Sequence, residues 1–301
     1  MPRRTCPEGH LVGPARADPP AARPRPARSV EYTGAPARAL QTAMSRLALI
    51  LAAALLTLTP PARGEAVAGE FAAQQLRYKR VKAAAAERMD AVKASFAAVG
   101  AAWPPRGVYI RGFKAEAQVE LWAAPAKKGA AWVLVRSFPV CARSGVLGPK
   151  RQEGDLQVPE GFYSLSVFNP HSAYHLSLGV SYPNAADRFH SRGKPPGSAI
   201  MIHGDCVTIG CLPLQDGPIE DLYLAAMMAH DRGQHTIPIH LFPCRLDATD
   251  CQERLAELAE GRPDLAAFWA GLRPGYDAFA ATGAPPVVRA HHDGTYVLVE
   301  P

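Results

Sequence analysis

A histidine and a cysteine, each beside a glycine, fall within nine residues of one another in Ile202-His203-Gly204-Asp205-Cys206-Val207-Thr208-Ile209-Gly210-Cys211. A thiol is a useful nucleophile only as thiolate, and an imidazole that can hold the proton pulls the thiol pKa down from about 8.5. Gly210 before Cys211 lets the backbone turn sharply, exposing the sulfur and freeing neighbouring N–H groups for a developing oxyanion. The pair therefore reads as a nucleophile with its base. Cys206 is a rival nucleophile, but no glycine precedes it. A zinc site built from His203, Cys206, Cys211, His235, His240 and Cys244 is a second rival. Their spacings match no common zinc pattern, and His235 and His240 have ordinary strand-edge or turn explanations. No metal and no cofactor is expected.

The segments that must position this pair alternate in texture. Glu70 to about Val99 places Phe71, Leu76, Val81, Met89, Val92 and Phe96 at roughly helical intervals, predicting one long amphipathic helix or a broken pair. Its basic run, Arg77 to Lys82, reads as a solvated face. Trp103-Pro104-Pro105 ends it. Gly107–Phe113, Ala117–Trp122 and Ala131–Val140 read as antiparallel strands, with Lys127-Lys128-Gly129 as the turn between the last two. A glycine- and charge-rich surface loop over 145–155 leads into a further strand, and strands at Tyr174–Val180, Ala199–His203 and Ile237–Phe242 extend the sheet. A helix is predicted over Ile219–His230. Helices at Cys251–Glu260 and Pro263–Leu272 and a strand pair around Asp293-Gly294 follow. Leu255, Leu258, Phe268 and Trp269 should bury against the main domain, since some fifty residues make a poor separate core.

The first 43 residues, rich in Arg, Pro and Ala, read as a disordered or untranslated extension. Met44-Ser45-Arg46, the apolar run Leu47–Leu58 and the breakers Pro60, Pro61 and Gly64 have the layout of a secretory signal peptide over 44–68, with Met44 as the expected start. A run of twelve residues, apolar apart from Thr57, falls short of the roughly 20 that cross a bilayer, so no stable span is expected after cleavage at Ala66-Val67-Ala68. Residues 1–43 and 44–68 carry +4 and +1 of the formal net charge of +6, leaving about +1 on the exported part, so nucleic-acid binding is not expected. Without Cys6, five cysteines remain. In an oxidising compartment that allows two disulfides and one free thiol. Cys244 and Cys251 are close enough to close a small loop, Cys141–Cys206 is the other candidate pair, and five reduced thiols remain the alternative.

Read in order, Gly148-Pro149-Lys150, Glu153-Gly154-Asp155, Pro159-Glu160-Gly161, Tyr182-Pro183-Asn184-Ala185, the His203–Cys211 block and Ile239-His240-Leu241-Phe242-Pro243 resemble the YkuD-type L,D-transpeptidase catalytic domain, in its YafK-like branch. The resemblance covers roughly Ala101 to Asp247. It implies a mainly antiparallel YkuD-like catalytic domain over 101–247; with the N-terminal helix over 69–100 and the short helical C-terminal extension over 248–301 read from the residues above, the expected fold class is α+β. It also implies acyl transfer on peptidoglycan stem peptides in the periplasm, through a thioester at a diaminopimelate carbonyl. The family's nucleophile falls on Cys211, its proton donor and acceptor on His203, the backbone carbonyl that orients the ring on Gly204, the oxyanion turn on Gly210, and a supporting hydroxyl on Thr208.

Two departures stand out. The broader family has a longer insert before its cysteine and reads Ser-His-Gly-Cys where this chain has Thr208-Ile209-Gly210-Cys211, and its polar residues after the cysteine are here Leu212 and Pro213. They point to a specialised member, such as a hydrolase of protein-to-wall links acting on a wall-attached lipoprotein. Transpeptidation to an amine and hydrolysis by water both stay open, as does a non-catalytic wall-binding module. Lys150, Arg151, Arg188 and Arg192 are candidate partners for stem-peptide carboxylates, and each alone reads as a solvated loop charge.

Overall fold

The computed structural model describes residues 69–127 and 129–299. The extension expected over 1–43, the signal peptide over 44–68 and Lys128 of the expected turn lie outside the described residues.

The N-terminal helical segment is a broken pair, α1 (Glu70–Gln75) and α2 (Lys79–Ala98). The break at 76–78 is set by tertiary contacts: Asp231 accepts from the amides of Gly69 (2.6 Å) and Ala72 (2.9 Å), capping α1, and the Tyr223 hydroxyl donates to Gln75 Oε1 at 2.6 Å. Val81, Ala84, Val92 and Phe96 form the buried stripe of α2 at helical spacing. In the basic run, Arg77, Lys79 and Lys82 are exposed, and Arg80 reaches the carbonyls of Ser172 and His175.

An eight-stranded sheet follows. Its strands are β1 (Val108–Phe113), β2 (Gln118–Ala123), β3 (Val133–Pro139), β4 (Gly161–Asn169), β5 (Ser177–Val180), β6 (Met201–His203), β7 (Leu212–Pro213) and β8 (Pro238–Phe242), in the order β3-β2-β1-β8-β4-β5-β6-β7. Only β1–β8 and β6–β7 pair in parallel, so the sheet is mainly antiparallel, as expected. Strand β4 gives its first half to β8 and its second to β5, with a register shift between Leu165 and Val167. The short helix α3 (Ala185–His190) opens with a capping box from Asn184 and Asp187.

Because side chains alternate along a strand, the inner strands feed two cores. Ile110, Ile239 and Leu241 join one core with α2 and with α4 (Asp216–Asp231), whose residues Leu222 to Ala229 are all buried. Phe113 and Phe242 belong to a second core with α5 (Thr249–Leu258) and α6 (Pro263–Thr282). Helices α5 and α6 thus bury against the sheet through Leu255, Phe268 and Trp269, whereas Leu258, expected to bury with them, is 40% exposed at the last residue of α5. Helix α6 runs ten residues beyond the expected end at Leu272, straight through Pro274. Its stripe Leu265, Phe268, Trp269, Leu272, Tyr276 and Phe279 continues without a break, and that packing outweighs the proline's local cost. Strands β9 (Val287–Ala290) and β10 (Tyr296–Val299) form the expected terminal hairpin. No described helix is long and apolar enough to cross a membrane.

Candidate active site

The parallel ladder β6–β7 brings the histidine and the cysteine together. Ile202 pairs with Leu212 and His203 with Pro213, so Cys211, which immediately precedes β7, lies beside Met201. Met201 and His203 share a face of β6. His203 is 2% exposed and stacks at a tilt on Tyr174, with ring centroids 4.9 Å apart. Its Nδ1 lies 2.5 Å from the Gly204 carbonyl. That bond requires the proton on Nδ1 and leaves Nε2 with a free lone pair.

The segment from Gly204 to Gly210 is pinned at several points. Asp216, at the start of α4, accepts from the Asp205 amide at 3.0 Å. Cys206 is disulfide-bonded to Cys141. Gly210 has φ +140°, a conformation closed to most L-residues, and its backbone passes close to the Gln157 carbonyl.

Thr208 clamps the turn. Its Oγ1 accepts from the amides of Cys211 (2.8 Å) and Gly210 (3.1 Å) and donates to the Cys211 carbonyl (2.9 Å). The two amides expected to face an oxyanion are therefore occupied by the threonine hydroxyl, which must turn away before they can serve one.

Cys244 bonds Cys251, so among the described residues Cys211 is the free cysteine, half-buried, with its sulfur 3.7 Å from the Ala199 carbonyl. The disulfides remove Cys206 as a nucleophile and take Cys206 and Cys244 from the zinc alternative. Burial pushes the Cys211 thiol above its ordinary value, opposed by a hydrogen bond from the Met201 backbone and by the Lys150 charge. Burial also holds His203 below its ordinary value, against the Gly204 hydrogen bond and the Asp205 charge. Burial thus disfavours the charged form of both groups, the opposite direction to the lowering of the thiol pKa expected from an imidazolium.

Cys211 opens on a groove of about 270 Å³, bordered by Lys114, Arg143, Val158, Leu212, Arg254 and Leu258. Two of these belong to α5, so the C-terminal extension forms part of the wall. Ile209, two residues before Cys211 in the sequence, is 78% exposed.

Several supporting residues were not singled out by sequence reasoning. Glu160 is fully buried and binds Lys114 Nζ (2.8 Å), the Gly148 amide (2.7 Å) and Trp269 Nε1 (2.8 Å). It ties the groove edge to α6. Asp155 accepts from Lys150 Nζ (2.6 Å) and from the amides of Arg151, Gln152 and Gln157, so Lys150 is paired within the chain. Both acids lie inside the quoted motifs, so their motifs could have flagged them; Asp216 and Arg254 carried no such signal. Contrary to the strand-edge reading, His240 lies in the interior strand β8, 3% exposed, with the Tyr109 hydroxyl 2.8 Å from its Nδ1, and burial lowers its pKa to about 3. Arg188 is exposed, whereas Arg151 and Arg192 line one cavity.

No family model matches the chain. It is 36% identical over 196 residues, 64% of this chain and 74% of the other, to YafK of Escherichia coli strain K12, a protein provisionally named an L,D-transpeptidase, and equally to its counterpart in strain O157:H7. Among solved structures, the helical cell shape determining protein Pgp2 of Campylobacter jejuni is 17% identical with a TM-score of 0.37, covering 61% of this chain and 72% of that one. Bd1075 of Bdellovibrio bacteriovorus is 19% identical with a TM-score of 0.33, covering 60% and 65%.

Proposed function

The chain belongs to the L,D-transpeptidase family, in its YafK-like branch, and from that premise we propose that it is an exported cysteine acyl-transfer enzyme acting on peptidoglycan stem peptides. The observation that carries this reading is the pairing of the cysteines. Four of the five described are in disulfides, and the free one, Cys211, opens on a groove one strand from a histidine whose Nδ1 is tied to a carbonyl.

In this reading Cys211 is the nucleophile and His203 the proton donor and acceptor. As Sγ attacks a diaminopimelate carbonyl, His203 Nε2 takes the thiol proton. The tetrahedral intermediate collapses with cleavage of the C–N bond, and the imidazolium returns the proton to the departing amine. An amine or water then attacks the thioester, giving its proton to Nε2. The C–S bond breaks, and the sulfur recovers the proton. Gly204 fixes the tautomer through its carbonyl, Gly210 sets the turn, and Thr208 holds that turn until the amides of Gly210 and Cys211 are needed by the oxyanion.

Two features favour water as acceptor. Leu212 and Pro213 stand where the broader family has polar residues, and exposed Ile209 replaces a histidine. A protein-to-wall amide, such as that of a wall-attached lipoprotein, is the corresponding substrate. Two disulfides fit an oxidising compartment, in keeping with a periplasmic location. The deciding experiment digests plain and protein-linked sacculi with the protein and with Cys211→Ala. Release of linked protein together with its stem peptide supports hydrolysis, new crosslinked muropeptides support transpeptidation, and products identical to those of the variant refute both.

A further inference from the structure

A second cavity, of about 240 Å³, shares no lining residue with the groove. Arg151, Arg192, Lys194 and His190 face it, with Asp264 as the acid on its wall. Among the described residues none of these three cations makes a salt bridge, in contrast to Lys150, whose ammonium is paired with Asp155 at 2.6 Å. The Arg151 guanidinium lies over the Phe268 ring, 4.7 Å from its centroid, and its Nη1 is buried with no hydrogen-bond partner. Asp187 acts on it only through space: no salt bridge joins the two, and that carboxylate accepts from the Asn184 amide at 3.0 Å and the Tyr163 hydroxyl at 3.2 Å. Burial pulls the Arg151 pKa below its ordinary value, with Asp187 acting in the other direction. A desolvated cation without a bonded anion is costly unless a ligand supplies one.

We infer that this cavity is a second substrate subsite, in which Arg151, assisted by Arg192 and Lys194, binds a carboxylate of a peptide whose scissile carbonyl lies at Cys211. The inference rests on the acyl-transfer reading above. A guanidinium stacked on a ring keeps its in-plane N–H groups for a bidentate carboxylate. The same two segments build both places. Lys150 acts on the Cys211 thiol while its neighbour Arg151 lines the cavity; Lys194 lines the cavity while Ala199 contacts the sulfur, and Glu153 N to Pro195 O at 2.8 Å joins the segments. The five residues from Lys194 to Ala199 span at most roughly 17 Å, the extended reach of a four- to five-residue peptide.

The test is a calorimetric titration, at constant ionic strength, of protein carrying Cys211→Ser with the stem tetrapeptide L-alanyl-γ-D-glutamyl-diaminopimelyl-D-alanine. The expected result is at least a fivefold weaker Kd in Arg151→Gln and in the double variant Arg192→Gln/Lys194→Gln, and no displacement by inorganic phosphate. Arg192 and Lys194 are exposed, so the double variant keeps the test decisive even if Arg151→Gln fails to fold. An unchanged Kd in the double variant, or displacement of the peptide by phosphate, overturns the assignment. Failure of the nucleophile assignment would appear separately, as absence of covalent capture at Cys211 in the otherwise unaltered protein, because the titration needs no turnover.

Discussion

Cys141 is bonded to Cys206 across 65 residues of sequence, and this one link joins the segment after β3 to the middle of the span between His203 and Cys211. In the chain-entropy account a loop of that size contributes about 4 kcal/mol by constraining the unfolded chain. Cys141→Ser/Cys206→Ser should lower the thermal midpoint by on the order of 10 °C and slow acylation of Cys211 well beyond the slowing seen in Cys244→Ser/Cys251→Ser, whose link spans 7 residues away from the turn. Differential scanning calorimetry and stopped-flow acylation would show both effects; equal acylation in the two double variants would contradict the positioning role.

Thr208 Oγ1 accepts from both the Gly210 and the Cys211 amides. Thr208→Val leaves both donors without a partner in a half-buried turn, at a cost of about 1–3 kcal/mol. The melting temperature should fall and acylation should slow, and Thr208→Ser should restore both. A valine variant that reacts faster than the parent would show instead that the hydroxyl only blocks the oxyanion donors.

Acylation should depend on pH with an acid limb below 6.5, because His203 must be neutral to accept the proton and burial holds its pKa under that value. The rate should then stay level up to the thiol ionisation, which burial places above 9.0. A pH–rate profile from 4 to 10 tests this. A rise centred well above 6.5 would mean that the reacting species is a preformed thiolate.

His240 predicts the pH dependence of stability. Its folded pKa of about 3 lies below the unfolded 6.5, so its stabilising contribution is complete above 6.5 and is lost as pH falls toward 3. The loss is on the order of 4 kcal/mol by pH 3. Asp187 works in the opposite direction: its folded pKa of about 6 exceeds the unfolded 3.8, so its contribution is present below 3.8 and is lost as pH rises through 6. Comparing thermal midpoints of the parent and His240→Gln between pH 4 and 7 isolates the first contribution. The parent should lose stability more steeply on acidification than the variant, and parallel curves would contradict a neutral buried His240.

Trp269→Phe removes the indole donor from the buried Glu160 carboxylate while keeping most of the packing. Since hydrogen bonds to charged groups contribute about 1.5–3 kcal/mol, unfolding in urea should show a loss of that size. Because Glu160 also holds the Gly148 amide at the groove edge, acylation should slow as well.

The residues that face chemistry were more legible in the sequence than the residues that hold them. The glycines beside His203 and Cys211, the odd count of cysteines and the apolar run of α4 are local signals, and the structure sets His203 on β6 and Cys211 immediately before the adjoining β7, with both candidate disulfides made. The break between α1 and α2 carries no proline or glycine and depends on Asp231 and Tyr223, far along the chain. The passage of α6 through Pro274 and the burial of His240 are likewise settled by packing between distant segments. Thr208 was read as supporting, but its hold on both amides follows from turn geometry, which spacing alone does not reveal.

Whether His203 activates Cys211 as a nucleophile is read by intact-mass analysis after the protein has been exposed to a carbapenem. A single adduct should form, map to Cys211 and be absent in both Cys211→Ala and His203→Ala. No adduct, an adduct at another residue, or one that forms equally fast without His203 would contradict it.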